Sequence, residues 1–311
     1  MIAPATEEVL LKAARLLEEG ELVAFPTETV YGLGANALNS QAVAKIYQAK
    51  GRPSDNPLIA HFPRVEDFEE CVLMTPLGEK LARALMPGPL TLVLPAREGV
   101  PSVTRGGLDT LGCRVPSNEV AHRLLSCLTF PLAAPSANRS GRPSPTQAST
   151  VAADLGDAVS LIIDGGACKV GLESTVVDAR GDLPILLRPG GISVETLREL
   201  CGEVRFASSL SEAQRSPGTR YRHYAPRVEV VAYRPGMILP RQFCFMGFGP
   251  APEGAKKALL FDSLEEYGRS FYEALRVLEE EGLPIYAQEP PKEGFGLALA
   301  DRLARACGKT E

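Results

Sequence analysis

The stretch TVVDARGDLPILL, residues 175–187, contains two short apolar runs joined by a polar turn, with no space for a helix between them. Short apolar runs bounded by turn residues are typical of buried strands. The preceding part of the chain alternates strand-like runs with helical stretches, which is the pattern of an α/β domain. Because residues 175–187 break that alternation, the sequence predicts a mixed sheet and not a purely parallel one.

The alternation extends from residue 6 to residue 201. Helical spacing of apolar residues predicts helices over residues 6–19, 41–49, 77–85, 119–128, 147–155 and 194–201. Apolar runs predict further strands over residues 22–25, 58–60, 90–94, 111–115, 132–134 and 160–163. These elements together predict a first domain over residues 1–206.

A change in composition marks the end of this domain. Residues 207–227 are rich in Ser, Pro and Gly and lack periodicity, which predicts an interdomain linker. Residues 228–311 again contain strand-like runs, with a long amphipathic helix near residues 264–281, and predict a smaller α/β domain. A chain of 311 residues has the length expected of two domains.

The overall composition excludes several classes of protein. Lys and Arg number 33 against 38 Asp and Glu, a net charge of -5, so the chain does not coat nucleic acid by bulk charge, although a local basic pocket is compatible with this average. Seven scattered cysteines without a CxxC pair suggest neither a structural zinc site nor a disulfide framework. With no leader-like or membrane-spanning apolar stretch, we expect a cytoplasmic protein.

Three loops beside predicted strands carry the polar groups of a ligand site: PTETVYGLG at 26–34, KGRPSDNP at 50–57 and APSANRSGRPS at 134–144. Their ammonium, guanidinium, hydroxyl and amide groups would suit a phosphate clamp. Each loop also has a plain structural explanation. Gly32 and Gly34 could provide positive φ in a turn, Lys50 and Arg52 could favour a helix C-terminus, and Thr146 could cap the next helix.

The predicted linker contains an unusual basic segment. Residues 215–227 contain four arginines, one histidine and two tyrosines, and no acidic residue. This composition fits a lid over an anionic ligand, a short contact with single-stranded RNA, or simple docking of the linker onto the first domain.

The motifs that normally mark covalent catalysis or nucleotide binding do not occur. The sequence has no GxSxG elbow, no GxxxxGK[ST] loop and no GxGxxG fingerprint. Basic and hydroxyl groups without an evident nucleophile favour catalysis by positioning and charge neutralisation, as in nucleotidyl and phosphoryl transfer.

Taken together, these motifs resemble the threonylcarbamoyl-AMP synthase family, in its type with a YrdC-like catalytic domain and a small Rossmann-like C-terminal domain. The matching motifs are PTETVYGLG (26–34), KGRPSDNPL (50–58), PGPLTLVL (87–94), APSANRSGRPSPT (134–146), ESTVVD (173–178), LRPG (187–190) and SPGTRYRHYAP (216–226). The resemblance implies that L-threonine, bicarbonate and ATP give threonylcarbamoyl-AMP and pyrophosphate. It also implies Mg2+ brought by the ATP phosphates without a protein metal site, and downstream proteins that transfer the product to tRNA, with tRNA itself an indirect partner.

The resemblance also assigns site residues. The family's catalytic signature falls on Lys50, Arg52, Ser136 and Asn138. Threonine binding would fall on Thr29, His61, Arg114, Ala134 and Ser174. ATP binding would fall on Arg52, Asn56, Thr110, Ser136, Ser144, Arg188 and Tyr224. A guanidinium such as Arg114 is the natural bidentate partner of an amino-acid carboxylate.

Two other functions compete with this assignment. An RNA-binding or ribosome-maturation factor could use the same basic concavity, but the acidic net charge and the many small hydroxyl residues favour a small ligand. An enzyme handling carbamoyl phosphate on the same scaffold would normally carry a zinc-finger segment, which the cysteine spacing excludes.

Overall fold

The first two thirds of the chain folds around a mixed β-sheet. The computed structural model describes residues 1–209, 212 and 224–308. Within them the larger sheet has eleven strands: β1 (Ile2–Pro4), β2 (Val23–Phe25), β3 (Gly32–Asn36), β4 (Ile59–His61), β5 (Leu90–Pro95), β6 (Thr110–Arg114), β7 (Leu132–Ala133), β8 (Leu161–Asp164), β9 (Thr175–Asp178), β10 (Ile185–Arg188) and β11 (Arg205–Phe206). Their order is β1-β8-β2-β3-β7-β4-β6-β5-β9-β10-β11.

The sheet confirms the predicted mixture of strand directions. Strands β9 and β10, formed by the 175–187 stretch, pair antiparallel, whereas β5 and β9 pair parallel. The crossover connections contain helices α1 (Glu7–Glu18), α2 (Ser40–Lys50), α3 (Pro76–Leu85), α4 (Glu119–Ser126), α5 (Ala148–Leu155) and α6 (Val194–Cys201). Most of these helices begin after a residue whose side chain accepts a backbone N–H, namely Thr6, Asn39, Thr75, Asn118 and Ser193.

Two local interpretations of the sequence are wrong. Gly32 and Gly34 lie in strand β3 without positive φ. Glycine is needed at position 34 for space, because a Cβ there would come within 2.9 Å of the Phe25 ring. Thr146 does not cap helix α5, which begins after Gln147 without a side-chain cap, and the Thr146 hydroxyl hydrogen-bonds Glu273 instead.

Strand β6 shows how the sheet separates its core from a polar face. Leu111 and Cys113 point into a hydrophobic core that includes Leu81 of α3. The alternate residues Thr110 and Arg114 must lie on the opposite face, because side chains alternate along a strand. That face of the sheet is where the polar residues of the motifs converge.

The second domain has a parallel sheet of its own. Its strands β12 (Val230–Tyr233), β13 (Phe243–Gly247), β14 (Ala255–Leu260) and β15 (Ile285–Gln288) have the order β12-β15-β13-β14. All three pairings are parallel, and helices α7 (Leu264–Glu279) and α8 (Gly294–Ala306) flank β15 in sequence. The smaller α/β unit predicted from the sequence is therefore present.

Buried contacts join the two domains. Val30 and Leu172 of the first domain belong to the hydrophobic core of the second. Arg276 of α7 forms an ion pair of 2.7 Å with Asp154 of α5. The predicted linker and lid, residues 207–227, lies mostly outside the described residues, so its boundaries stay a prediction. No helix in the described part of the chain is long and apolar enough to cross a membrane.

Candidate active site

A pocket on the polar face of the larger sheet gathers residues from all the motif loops. It is lined by nine of the residues assigned from the sequence: Thr29, Arg52, His61, Arg114, Ala134, Ser136, Ser174, Arg188 and Tyr224. Five other assigned residues do not line it: Lys50, Asn56, Thr110, Asn138 and Ser144. All five are buried, and three of them, Lys50, Asn138 and Ser144, hydrogen-bond to residues that do line it, as described below.

Arg114 is held in the pocket by the PTET motif. Its Nη2 donates to Glu28 Oε1 at 2.6 Å and to Thr29 Oγ1 at 3.0 Å. The backbone N–H of Ser117 donates to the second oxygen of Glu28. The sequence assignment missed Glu28, although a carboxylate next to a buried strand signals a need for a cationic partner. Arg114 Nε is buried without a partner.

His61 lies beside Arg114, because strands β4 and β6 pair these two residues. Burial, together with the nearby Arg114 charge, lowers the pKa of His61 to about 3. The ring is therefore neutral at physiological pH. Its Nδ1 is 3.2 Å from the carbonyl oxygen of Ile59, so we assign the proton to Nδ1 and leave Nε2 as an acceptor.

Lys50 supports the loop that carries Ser136. Its Nζ donates to the carbonyl oxygens of Ser136 and Asn138, both at 2.5 Å, and lies 3.5 Å from Asn138 Oδ1. Ser136 Oγ donates to the same Asn138 Oδ1, and the Asn138 amide donates to the carbonyls of Arg139 and Arg142. Burial lowers the pKa of Lys50 well below its ordinary value. Lys50 Nζ is thus directed at this loop and not at the pocket.

Arg52 and Asn56 differ from Lys50, because some of their buried side-chain atoms have no hydrogen-bond partner in the described part of the chain. Arg52 Nη2 donates to the carbonyl oxygen of Pro57 at 3.1 Å, but its Nε is buried without a partner. Both side-chain atoms of Asn56, Nδ2 and Oδ1, are also buried without partners. Buried polar atoms in folded proteins are nearly always hydrogen-bonded, so these atoms need a partner that the described residues do not supply. Burial lowers the pKa of Arg52 to about 10, which leaves it charged at neutral pH.

Ser174 and Arg188 lie at the adjoining ends of β9 and β10. Arg188 Nη2 donates to the Ser174 carbonyl at 3.0 Å and lies 3.3 Å from Ser174 Oγ. Ser174 Oγ is also 2.8 Å from Thr91 Oγ1. The two residues therefore form one unit on the wall of the pocket.

Glu173 is a second lining residue that the sequence assignment missed. Its Oε1 accepts from Ser144 Oγ at 2.6 Å, and its Oε2 accepts from Tyr272 at 2.8 Å and from Arg302 at 2.7 Å. Burial alone would raise the pKa of Glu173, but the charges of Arg302 and Arg188 and the Ser144 hydroxyl lower it to about 2. The carboxylate is ionised and couples the pocket to the second domain.

Two predicted ATP residues differ in their relation to the pocket, because Tyr224 lines it and Thr110 does not. Tyr224 is a buried residue with a left-handed backbone, φ 64°, and its ring packs 5.3 Å from that of Tyr272. Thr110 begins β6 on the same face as Arg114, with Gly112 between them. A Cβ at Gly112 would lie 3.2 Å from Thr91 and 3.4 Å from Ile59, so a larger residue there would crowd the two neighbouring strands.

The donor set of the pocket suits an anion and offers little to a metal ion. Arg52, Arg114 and Arg188 line it, and its nearest carboxylates, Glu28 and Glu173, are already paired with Arg114 and Arg302. No group of three His, Cys, Asp or Glu side chains that could hold a metal occurs in residues 1–209, 212 and 224–308. A hard cation there would need ligands from a bound anion.

Comparisons with known proteins agree along the whole chain. Residues 15–190 match a family model described as telomere recombination, and residues 192–308 match the C-terminal domain of threonylcarbamoyl-AMP synthase. The threonylcarbamoyl-AMP synthase of Pyrococcus abyssi is 44% identical, over 95% of this chain and 93% of its own. That of Bacillus subtilis is 42% identical, over 96% and 93%.

A solved structure gives the same answer for the fold. The crystal structure of P. abyssi Sua5 complexed with L-threonine has a TM-score of 0.91 and 40% sequence identity, and the match covers 100% of this chain and 97% of that one. The fold class predicted from the sequence, a YrdC-like mixed sheet with a smaller α/β domain, is confirmed. This chain therefore belongs to the threonylcarbamoyl-AMP synthase family.

Proposed function

We propose that the central pocket converts L-threonine, bicarbonate and ATP into threonylcarbamoyl-AMP and pyrophosphate, as a nucleotidyltransferase in tRNA modification. The observation that carries this proposal is the set of unpaired buried polar atoms on Arg52, Asn56 and Arg114, clustered around the arginine-lined pocket. Buried polar atoms are nearly always hydrogen-bonded in folded proteins, so these atoms need partners from outside the described residues, which a ligand in the pocket would supply. Membership of the synthase family supports threonine and ATP as those ligands.

Threonine would bind on the side of Arg114 and His61. Arg114 lines the pocket, where its guanidinium would face the amino-acid carboxylate, and Glu28 fixes the orientation of that guanidinium. The Nε2 of neutral His61 can accept a hydrogen bond from a threonine hydroxyl or amine. Thr29, Ser174 and the Ala134 backbone would complete this half of the pocket.

ATP would bind on the side of Arg52, Asn56, Ser136 and Arg188. Two guanidinium groups facing one pocket suit the negative charge of phosphates. Asn56 lies behind this half, next to the pocket-lining Pro57, and its two unpartnered side-chain atoms would donate to and accept from a ligand that reaches them. Ser144, Thr110 and Tyr224 would border this half, with Ser144 acting through Glu173.

The reaction would have two steps. The deprotonated amine of threonine attacks bicarbonate or CO2 to form a carbamate, with loss of water when bicarbonate reacts. A carbamate oxygen then attacks the α-phosphorus of ATP, and the bond to the leaving pyrophosphate breaks. The arginines stabilise the charge on the phosphates during this step, and Lys50 acts by holding the loop that carries Ser136.

Mg2+ fits this scheme as a companion of ATP. The pocket has no free carboxylate cluster in the described residues, so the metal would be held by the phosphates, whose charge it would help to neutralise. We further propose that the product passes to separate proteins that modify tRNA, and that tRNA is an indirect partner.

The proposal is tested by incubating the purified full-length chain with ATP, Mg2+, bicarbonate and a panel of amino acids. We expect pyrophosphate release that depends on threonine and not on valine or alanine. Pyrophosphate release without amino-acid dependence would contradict the proposal. Tight, salt-sensitive RNA binding without threonine-dependent turnover would favour the competing RNA-binding function.

A further inference from the structure

One arginine of the second domain contacts both strand ends that carry the site. Arg302 in α8 is fully buried. Its Nε donates to Glu173 Oε2 at 2.7 Å, and its Nη2 donates to the carbonyl oxygen of Pro189 at 2.9 Å. Glu173 directly precedes Ser174, and Pro189 directly follows Arg188. One guanidinium therefore bridges the segments on either side of the Ser174–Arg188 unit.

The same guanidinium also contacts the residue that follows the undescribed part of the linker. Its Cζ lies 5.6 Å from the centre of the Tyr224 ring, within the range of a cation–π interaction. Tyr224 in turn packs on Tyr272, whose hydroxyl donates to Glu173. Arg302, Tyr272, Tyr224 and Glu173 thus form one buried cluster between the two domains.

We propose that Arg302 is a positioning residue for the synthase reaction, by which the second domain holds Ser174, Arg188 and Tyr224 in working geometry. The inference rests on the proposed function, since it assigns a purpose to the second domain within that reaction. Arg302 does not line the pocket and is not a catalytic residue. Its effect passes through Glu173 and Pro189.

The charge of the Glu173 carboxylate explains why its contact with Arg302 matters for the site. Glu173 faces two cations, Arg302 and Arg188, and both lower its pKa. Without Arg302, the buried carboxylate would have Arg188 as its remaining strong cationic neighbour. Glu173 would then compete with a bound phosphate for Arg188 and draw that side chain out of position. Displacements of about 1 Å far from the reacting atoms can reduce a rate roughly 100-fold.

The test compares Arg302→Gln with Glu273→Gln in the full-length chain. Glu273 also joins the two domains, because its carboxylate accepts from the hydroxyls of Thr146 and Thr150, and it does not line the pocket. We expect Arg302→Gln to lower kcat/KM about 100-fold and to raise KM for both ATP and threonine. Glu273→Gln should leave both KM values unchanged, even where thermal unfolding shows a similar loss of stability.

A charge-removal variant separates positioning from simple folding. Adding Glu173→Gln to Arg302→Gln removes the carboxylate that competes for Arg188, and we expect kcat/KM to recover about 10-fold, a non-additive result typical of coupled residues. If Arg302→Gln does not fold, Arg302→Lys is measured instead and should raise the same two KM values, because lysine cannot bridge two acceptors as a fork.

Several outcomes would overturn the inference. These are unchanged KM values in the folded Arg302 variant, the same KM increase in Glu273→Gln, and a double variant no better than the single one. A wild-type chain without threonine-dependent pyrophosphate release would instead refute the proposed function, so the two failures can be distinguished.

Discussion

Lys50 and Arg52 lie two residues apart in the chain, yet their side chains differ in how fully the protein satisfies their hydrogen bonds. All the hydrogen-bonding capacity of Lys50 is directed at the Ser136–Asn138 loop. Arg52 lines the pocket and retains an unpartnered Nε, close in sequence to an unpartnered Asn56 side chain. The difference indicates that the first cation builds the site and the second is kept for a ligand. Residue type alone, two cations in one motif, would not separate these roles.

Replacing Arg52 gives the largest expected effect. Arg52→Met removes a donor that we propose faces the phosphates of ATP, and loss of one such preorganised donor typically lowers kcat about 100- to 1,000-fold. The free energy of unfolding should fall by about 1 kcal/mol, because the losses are one hydrogen bond to the Pro57 carbonyl and a marginal one of 3.5 Å to the Asn56 carbonyl. Steady-state pyrophosphate release and urea unfolding measure the two quantities. A large loss of stability would place Arg52 with Lys50 as a structural cation.

Replacing Lys50 should affect both quantities. Lys50→Met leaves the buried carbonyls of Ser136 and Asn138 without their donor, which we expect to cost about 2–3 kcal/mol of unfolding free energy. Activity should also fall, because Ser136 lines the pocket on the loop that Lys50 holds. Wild-type stability in the urea experiment would contradict the building role.

Asn56 offers a smaller and more specific test. Asn56→Leu replaces two unpartnered buried polar atoms with an apolar side chain of similar size, so stability should stay the same or rise. KM for ATP should increase about 10-fold, the order expected from the loss of one ligand hydrogen bond of about 1.4 kcal/mol. An unchanged KM for ATP together with a raised KM for threonine would contradict this assignment and place Asn56 with the threonine-binding residues.

The smallest effect concerns pH. Because burial lowers the pKa of His61 to about 3, His61 should not titrate between pH 6 and pH 8, and kcat/KM should show no inflection from it there. Between about pH 3 and pH 6.5 the unfolded state binds a proton that the folded state does not, so stability falls as pH drops through this window. Urea unfolding of wild type and His61→Asn at pH 4.5 and pH 7.5 measures this contribution, which the variant should lack.

The larger architectural features could be predicted from local sequence. The two apolar runs of residues 175–187 are close neighbours, so the absence of a helix between them already required strands β9 and β10 and a mixed sheet. Strand β3 was missed because Gly32 and Gly34 carry no hydrophobic periodicity. Their extended backbone depends on packing against Phe25, which is a tertiary contact.

The candidate site also has some features that the sequence predicts and others that it does not. Family motifs identified Arg114 and Arg188, both of which line the pocket. They could not reveal that Glu28 orients Arg114 across 86 residues or that Arg302 neutralises Glu173 across 129 residues. Partners of buried charges are set by topology, so a sequence shows that a partner is needed without showing which residue supplies it.

The most direct test of the account is to follow 13C-labelled bicarbonate into the nucleotide product. The full-length chain is incubated with ATP, Mg2+ and L-threonine, and the product is identified by mass spectrometry. The account predicts threonylcarbamoyl-AMP whose mass rises by one unit with the label, formed together with pyrophosphate. A product limited to ADP or AMP, or an adenylate of threonine without the labelled carbon, would contradict it.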